Sequence, residues 1–572
     1  MAEKVGLRKW RECFKILWGS RLYRAVLFLT VACSYGFLVT NHTVGVDDTP
    51  FELYFEEGLN VVIGRWFLFV LNKIFHVADF APFILDLAGA LILMAAVVVW
   101  GVLLYSICGE RVPLWGYLFF SCIFLSCPLL AEVYPYHLHN GVSVGYLCTG
   151  ISLCFFRELT EGGKDWKKIL AMAVGMAFFL FVAIGCYESF MIVWLSGLLL
   201  VLLTERYMGI PNRIFTLLGI AALSAVTALI MRSLMIEGLI VIFDLRNLRA
   251  VADQRTVGDV FGWMFEADAA AKLAMAFKRF YVMYFAFAFA YYPIRIFVAA
   301  AFFMGLYGLY SAIRRKSPWL FLLTAGCFIC CILLVPVEGK ATLYRAAQFL
   351  PVMCAYGAFL VALAVGNLGR GDFRRKVNRE QKVDGYGKVW RKLLTAVSVF
   401  LLSVVLWNQC YEMNKWFYVD WLKYQSTLDL ARQINLALEK DFDISKPVVF
   451  IGNYAPPKSI VKDAYVGYNS ETFYRIKRLT DPIDEHLLEK FYREYGVWVA
   501  QTPALSVFEW GVNAFESDEE LARFFAMHGM EIKANTEQAY FAEASEYFLE
   551  MPVFPQEGSI EDRGKYIIVR IQ

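Results

Sequence analysis

Residues 83–106 read FILDLAGALILMAAVVVWGVLLYS, a stretch in which Asp86 is the single charged side chain. A helix of this length can cross the hydrocarbon core of a bilayer, which needs about 20 mostly apolar residues. The whole chain of 572 residues is 59% hydrophobic and 19% charged, whereas a soluble protein carries roughly 25% charged residues. The composition therefore excludes a water-soluble globule and predicts a polytopic membrane protein.

Comparable apolar stretches recur along the first 410 residues. They lie at approximately 23–40, 83–106, 114–131, 140–156, 169–185, 189–204, 214–231, 288–312, 318–337, 345–366 and 393–409. The spacing predicts about eleven transmembrane helices. The apolar stretch 61–75 contains Arg65, Asn72 and Lys73, so we expect a helix that lies in the outer interface instead of crossing the membrane.

The distribution of Lys and Arg predicts the orientation of these spans, because short cytoplasmic loops hold an excess of both residues. Residues 1–22 are rich in them, and the same bias recurs in every second loop up to the basic segment 367–392. The N-terminus is therefore predicted to be cytoplasmic. Loops 41–82 and 232–287 are predicted to be external, and an odd number of spans places the C-terminus outside as well.

The last part of the chain has a different composition. Residues 411–572 contain 17 basic and 26 acidic side chains, against 38 and 26 in the first 410 residues. Residues 446–450 and 565–571 have the pattern of buried strands, and Asp518–Met527 has that of an amphipathic helix. We predict three parts: a cytoplasmic N-terminus (1–22), a transmembrane body (23–410) and a soluble extracytoplasmic α/β domain (411–572). Nothing in the charge pattern suggests nucleic-acid binding.

Metal and cofactor motifs are weak in this sequence. All 13 cysteines lie at or before Cys410. Cys327, Cys330 and Cys331 form a cluster in the middle of a predicted span without His or carboxylate companions, so packing is favoured over metal binding. No phosphate-binding glycine loop is present, and we predict no cofactor.

Two adjacent carboxylates follow the first span. Asp47 and Asp48 lie within about eight residues of its outer end, between water and a low-dielectric wall. Such a position can raise the pKa of one carboxylate towards the strength of a general base. The structural alternative is that the pair caps an interfacial helix, since Asp is a good N-cap residue.

Cationic candidates lie on the same predicted side of the membrane. Arg65 can bind a phosphate through two parallel hydrogen bonds, or it can extend to lipid head groups. Lys340 and Arg345 lie where an external helix begins, and the dipole there favours anions. These three residues are the predicted phosphate ligands.

Several further side chains are predicted to contact a substrate. Trp66 follows Arg65, and Tyr136 and His137 open another external loop. Two histidines at His137 and His139 are too few for a metal site. Tyr187 and Glu188 lie between two spans with almost no loop, so Glu188 is held at membrane level, where a carboxylate is a candidate for function.

All these groups are predicted to lie externally, several of them at membrane level. That distribution suits an enzyme whose substrate reaches the site from the bilayer with a charged head group, such as a sugar carried on a polyprenyl phosphate. The incoming hydroxyl would need a base, and the phosphate would need cations.

The order of Val44-Gly45-Val46-Asp47-Asp48-Thr49, then Gly64-Arg65-Trp66-Phe67, then a series of spans resembles the bacterial and phage-borne O-antigen glucosyltransferases of the Gtr type, in the GT-C superfamily. The resemblance implies a bacterial inner-membrane enzyme that moves glucose or a related hexose from a polyprenyl-phosphate donor to a surface polysaccharide such as O-antigen, with inversion. By position, Asp47 or Asp48 would be the base and Arg65 would belong to the same site. Tyr187-Glu188 stands where the family pattern has Tyr-Gln, and the His137 region departs from the usual Asn-bearing pattern.

Other functions remain open from the residues alone. A lipid-linked oligosaccharide flippase or other transporter should carry charged residues near the midplane, whereas here they cluster at the outer ends of the spans. A polysaccharide polymerase would use a large external loop with several arginines, such as 232–287. A divalent metal at Asp47 and Asp48 is the alternative to metal-free catalysis.

Overall fold

Helices make up most of the computed structural model. It describes residues 10–41, 58–76, 81–134, 139–160, 165–211, 213–251, 262–281, 284, 292–333, 346–368, 385–452, 454 and 517–571. Within this part of the chain ten helices are long and apolar enough to cross a membrane, and the shorter Pro318–Ile332 is also apolar. The predicted fold class, a mainly α polytopic membrane protein with a small C-terminal α/β region, is confirmed.

The helices of the membrane body correspond to the predicted spans, with an additional N-terminal helix and several short helices between the spans. In chain order they are α1 (Trp10–Gly19), α2 (Arg21–Thr40), α3 (Gly58–Val62), α4 (Trp66–Ile74), α5 (Pro82–Cys108), α6 (Leu114–Leu125), α7 (His139–Thr160), α8 (Trp166–Cys186), α9 (Phe190–Met208), α10 (Ile214–Ile242), α11 (Arg246–Val251), α12 (Ala269–Tyr281), α13 (Tyr292–Arg315), α14 (Pro318–Ile332), α15 (Phe349–Leu368) and α16 (Gly385–Asp441). Short 3₁₀ helices cover Gly109–Arg111, Pro128–Glu132 and Trp263–Phe265.

Local sequence explains where several helices begin and end. Ser20 caps α2 by accepting a hydrogen bond from the Tyr23 amide at 3.3 Å, and Pro82 stands in the first turn of α5, where its missing N–H is not needed. Gly209 ends α9 with φ +73°, a left-handed conformation that glycine adopts without strain.

Helix α10 is longer than the predicted span 214–231. It continues to Ile242 because residues 233–242 are apolar apart from Ser233 and Glu237. The first part of the predicted loop 232–287 is therefore helical, and Arg232 lies inside a helix.

The packing of the membrane body brings sequence-distant helices together. Helix α7 contacts both α5 and α8, α6 contacts α15, α9 contacts α14, and α16 runs along α2. By contrast, α10 exposes many apolar side chains, including Phe215, Leu223 and Ile230. A surface of this kind is stable only against lipid.

A buried ion pair joins α7 and α9 near the C-terminal ends of both helices. Arg157 Nη1 lies 3.1 Å from Glu205 Oε1, and the two side chains are 4% and 0% exposed. Thr160 Oγ1 donates to the same carboxylate at 2.5 Å.

The last membrane helix also forms part of the C-terminal region. Helix α16 has 57 residues, which is about 85 Å at 1.5 Å per residue, and it runs unbroken through the predicted domain boundary at 411. Met413, Trp416 and Phe417 belong to the core of the membrane body. Tyr424 to Leu438 pack instead against the C-terminal sheet.

The described residues of the C-terminal region after α16 form a three-stranded sheet and two helices. The strands are β1 (Val448–Ile451), β2 (Ile560–Asp562) and β3 (Ile567–Arg570), and the helices are α17 (Asp518–Met527) and α18 (Gln538–Glu546). The strand order is β1-β3-β2, with β1 parallel and β2 antiparallel to β3. The two strands and the helix predicted from sequence are confirmed in place.

Candidate active site

A sharp turn separates the two short helices α3 and α4. Gly64 adopts φ +93°, a conformation that costs other residues roughly 1–2 kcal/mol. The amide of Arg65 then donates to the Asn60 carbonyl at 2.7 Å. The conformation of the turn requires glycine, and a Cβ atom on Gly64 would also displace the guanidinium of Arg232, the far end of a flexible side chain.

The connection between α8 and α9 is the second element of the site. It consists of Tyr187, Glu188 and Ser189, because α8 ends at Cys186 and α9 begins at Phe190. The sequence prediction that Glu188 is held between two spans with almost no loop is confirmed. Its side chain is 46% exposed.

Helix α10 supplies a third element, which the sequence analysis missed. Arg232 Nε donates to the Gly64 carbonyl at 3.2 Å, so α10 is tied directly to the α3–α4 turn. The sequence did contain a signal, since an arginine followed by ten mostly apolar residues lies within a membrane helix, where a charged side chain is a candidate for function.

These three elements bring two arginines to one carboxylate. Arg65 Nε lies 3.7 Å from Glu188 Oε2, and Arg232 Nη2 lies 3.5 Å from Glu188 Oε1. Both arginine side chains are 20% exposed. We call Arg65, Arg232 and Glu188 the arginine cluster, and its three side chains sum to one positive charge.

The guanidinium group of Arg65 also contacts an aromatic ring. The Arg65 guanidinium lies over the Tyr187 ring at 4.4 Å from the centroid, a distance at which the ring face attracts a cation. Arg65 Nε is buried and has no hydrogen-bond partner among the described residues. The cluster therefore holds positive charge in place with donor capacity that an anion such as a phosphate can use.

Trp66 packs behind the cluster. Its ring stacks on Phe181 with centroids 4.4 Å apart, lies against Gly185 and is 6% exposed. In this conformation Trp66 fixes α4 on α8 and thereby positions Arg65. A direct contact between Trp66 and a substrate stays a prediction, as it does for Tyr187 and Glu188.

The remaining predicted site residues lie outside the described residues. They are the acidic pair Asp47 and Asp48, the cations Lys340 and Arg345, and the loop residues Tyr136 and His137. Among the residues that the structure does describe, no group of three or more His, Cys, Asp or Glu side chains could hold a metal ion. Cys327, Cys330 and Cys331 are buried among apolar neighbours.

Comparison with known proteins identifies the family. The sequence profile described as "Glucosyl transferase GtrII" matches residues 36–362, more than half of the chain. The chain belongs to the GtrII glucosyl transferase family. The matched region of this GtrII family member includes the whole arginine cluster, and the family predicted from the sequence is confirmed.

The chain is thus a multi-pass membrane glycosyltransferase. Family membership resolves the choice between enzyme and transporter that the residues left open. No curated protein sequence matches this GtrII family member closely.

Solved structures of two other membrane proteins show a similarity to this GtrII family member. ArnT from Cupriavidus metallidurans bound to undecaprenyl phosphate is 14% identical with a TM-score of 0.35, and 82% of this chain and 90% of that chain are covered. The oligosaccharyltransferase AglB from Archaeoglobus fulgidus, in complex with an inhibitory peptide and a dolichol-phosphate, is 13% identical with a TM-score of 0.26, and 69% and 56% are covered.

Proposed function

We propose that the protein transfers glucose or a related hexose from a polyprenyl-phosphate donor to a cell-surface polysaccharide such as O-antigen, at the external face of the bacterial inner membrane. Membership in a glucosyl transferase family supports the reaction class. The arginine cluster is the single observation that supports the lipid-linked donor. It concentrates fixed cations at the end of α8, where a phosphate on a lipid tail in the bilayer can reach them.

The orientation follows from the charge distribution of the loops. The buried Arg157–Glu205 pair lies at the end of the body that the basic loops assign to the cytoplasm, and the arginine cluster lies at the other end of α9. A donor flipped to the outer leaflet would therefore meet the cluster from the membrane.

The reaction itself is a displacement at the anomeric carbon. The acceptor hydroxyl oxygen forms a bond to C1 of the sugar, the bond between C1 and the phosphate oxygen breaks, and the hydroxyl proton passes to a carboxylate. In this proposal Asp47 or Asp48 is that base, as the resemblance implies, and a single displacement inverts the anomeric centre.

The leaving group explains why the site needs arginines. Polyprenyl phosphate departs with its electron pair and its negative charge, so it requires cations instead of a proton donor. Arg65 and Arg232 provide two guanidinium groups, and Lys340 and Arg345 are proposed to add to them. In this proposal a carboxylate base together with arginine and lysine side chains is sufficient for the transfer without a resident metal.

Asp47→Asn and Asp48→Asn, assayed separately, test the proposal. One of the two variants should lose about 10²- to 10⁴-fold in transfer, the usual contribution of a general base, while its amount in the membrane stays equal to wild type. Asp165→Asn, at the start of α8 on the opposite side, is the matched control and should keep its activity. Full transfer in both Asp47→Asn and Asp48→Asn would remove the acidic pair from the mechanism.

Mass spectrometry of surface glycans tests the acceptor. Cells that express the protein should carry additional hexose on the polysaccharide, and cells that express the inactive Asp variant should not. Polysaccharide without added hexose in both kinds of cell would contradict the proposed acceptor.

A further inference from the structure

Glu188 occupies the space between the two arginines that the proposed function assigns to the donor phosphate. Each of its carboxylate oxygens faces a different guanidinium group, Oε2 towards Arg65 and Oε1 towards Arg232. An anion with two oxygens thus already bridges the two cations. A phosphate that binds both arginines needs the same position.

The carboxylate is held loosely. Its two contacts of 3.7 and 3.5 Å are longer than the 2.7–2.9 Å of strong charge-assisted hydrogen bonds. Glu188 is also more exposed than either arginine, 46% against 20%. Because nearly half of its side chain is already exposed, the carboxylate can leave the space between the arginines by rotating towards the exposed side.

The arginines, by contrast, are anchored independently of Glu188. Arg232 donates to the Gly64 carbonyl, and Arg65 lies on the Tyr187 ring. Removal of the carboxylate therefore leaves both cations in place. The cluster has two fixed positive groups and one movable negative group.

The electrostatics explain why a movable carboxylate is useful. Without an anion between them, the two guanidinium groups would repel each other, and partial burial strengthens that repulsion. Glu188 relieves it while no donor is bound. The phosphodiester of an incoming sugar donor carries one negative charge shared by two non-bridging oxygens, as the carboxylate does, so it can take over both contacts.

From this geometry we propose that Glu188 is a positioning residue that occupies the phosphate position in the donor-free enzyme and is displaced when the lipid-linked donor binds. The inference rests on the proposed function, because it takes the donor phosphate as the displacing anion. Its consequence is that Glu188 lowers the affinity of the site for lipid phosphates and promotes release of the polyprenyl phosphate product.

The test measures binding of polyprenyl monophosphate, without a sugar, to the full-length protein in lipid nanodiscs. Glu188→Gln keeps the size of the side chain and removes its charge. It should lower Kd about tenfold, the size expected when one charge-assisted competitor is lost, and KM for the sugar donor should fall with it. Glu188→Asp keeps the charge on a shorter side chain that cannot bridge both arginines, and it should lower Kd by a smaller factor.

Glu412→Gln is the matched control, because it removes a carboxylate from α16 instead of from the cluster. Its Kd for polyprenyl monophosphate should equal that of wild type. Should Glu188→Gln fail to accumulate in the membrane, Glu188→Asp carries the test alone.

The outcomes separate this inference from the proposed function. An unchanged or higher Kd in both Glu188 variants, with normal binding by wild type, overturns the displacement of Glu188 and leaves the lipid-linked donor intact. A loss of kcat of about 100-fold with an unchanged Kd would instead make Glu188 a catalytic acid or base. If wild type neither binds polyprenyl monophosphate nor transfers a sugar from it, the proposed function fails.

Discussion

Two arginine–carboxylate clusters lie at opposite ends of helix α9 and are built differently. Glu205 near its C-terminal end forms a contact of 3.1 Å with Arg157, and both side chains are at most 4% exposed. Glu188, just before its N-terminal end, makes contacts of 3.5 and 3.7 Å with partly exposed arginines. The two glutamates are 17 positions apart in the sequence, which corresponds to about 25 Å of helix, so the same helix connects both ends of the membrane body.

The contrast between the two clusters distinguishes a structural ion pair from charges that are available to a ligand. The Arg157–Glu205 pair is neutral as a unit, fully enclosed and further bonded to Thr160, so it has no access to a substrate. The arginine cluster carries a net charge of +1, its contacts between nitrogen and oxygen are longer, and its side chains are partly exposed. A tight, closed pair is typical of stability, and a loose, open one is typical of ligand binding.

The largest expected effect concerns the closed pair. Glu205→Ala leaves the buried Arg157 charge without its partner, which should destabilise the fold by about 3–5 kcal/mol. Thermal unfolding of the protein in detergent should show a clear loss of stability, with less protein in the membrane.

The matched control replaces both partners, as Arg157→Met with Glu205→Leu. Since an apolar pair of similar volume is often as stable as a buried ion pair, the double variant should recover most of the lost stability and should retain transfer activity. A double variant less stable than Glu205→Ala would contradict the structural role of this pair.

The second effect concerns the open cluster. Arg232→Ala removes one of the two guanidinium groups and should lower kcat/KM about 10- to 100-fold, since hydrogen bonds to charged groups contribute about 1.5–3 kcal/mol. Thermal unfolding should change much less than for Glu205→Ala, and Arg232→Lys should restore part of the activity.

Arg246→Ala provides the control for this prediction, because Arg246 is an exposed arginine at the start of α11, close in sequence but outside the cluster. Its kcat/KM should stay within about twofold of wild type, well below the effect of losing a charge-assisted contact. Equal losses of kcat/KM in Arg232→Ala and Arg246→Ala would mean that Arg232 contributes only long-range positive charge and makes no specific contact with the substrate.

The third effect tests the turn that supports the cluster. Gly64→Ala forces φ +93° on a residue with a Cβ atom and pushes that atom into the Arg232 guanidinium. The expected penalty of about 1–2 kcal/mol corresponds to a 5- to 30-fold loss in kcat/KM. In the Arg232→Ala background the same substitution should have a smaller effect, because its steric target is gone.

Gly219→Ala is the control within the same protein. Gly219 lies in α10 with open space around it, and alanine is favoured over glycine in a helix. This variant should be active and at least as stable as wild type. A loss in Gly64→Ala that persists fully without Arg232 would show that the strain, and not the arginine, is responsible.

The sequence predicted the fold better than it predicted the site. The length of an apolar stretch and the charge of a loop can each be read from a single segment of the sequence. Each predicted span therefore corresponds to a helix, and the bounds of Asp518–Met527 were predicted to the residue. The end of α10 was predicted too early because Arg232 interrupts the hydrophobicity while the helix continues. Helix α16 shows a related limit, since it packs in the membrane body up to Phe417 and against the C-terminal sheet from Tyr424 without a break in its backbone.

The arginine cluster depends on contacts between distant segments, which composition does not reveal. Arg65 and Glu188 were both candidates, but nothing in the sequence joins them. Arg232 was missed because its role depends on the Gly64 turn, 168 positions away. The sequence also gives no sign of the ring that Arg65 contacts: its guanidinium lies over Tyr187, while the adjacent Trp66 packs on Phe181.

The smallest effect lies in the C-terminal region, where a partly buried carboxylate can be compared with an exposed one. Burial raises the pKa of Asp518 to about 7, and the charge of Glu519 adds to the shift. The folded state therefore binds a proton more tightly than the unfolded state, and stability falls as the pH rises from about 4 to about 7. Asp518→Asn should make α17 more stable at pH 8 and leave it little changed at pH 4, as measured by amide hydrogen exchange corrected for intrinsic rates.

Asp562 gives the opposite sign and serves as the control for Asp518. It is exposed, its carboxylate accepts a hydrogen bond from Lys446 at 2.6 Å, and this contact lowers its pKa. Its contribution to stability is present above its unfolded pKa and is lost as the pH falls through the lower folded value, so Asp562→Asn should slightly destabilise the sheet at pH 8. A partly buried carboxylate and an exposed, paired one must change the stability in opposite directions when each is replaced by Asn. If both variants shifted the exchange rates in the same direction at pH 8, the environment of Asp518 would not be the cause of its effect on stability.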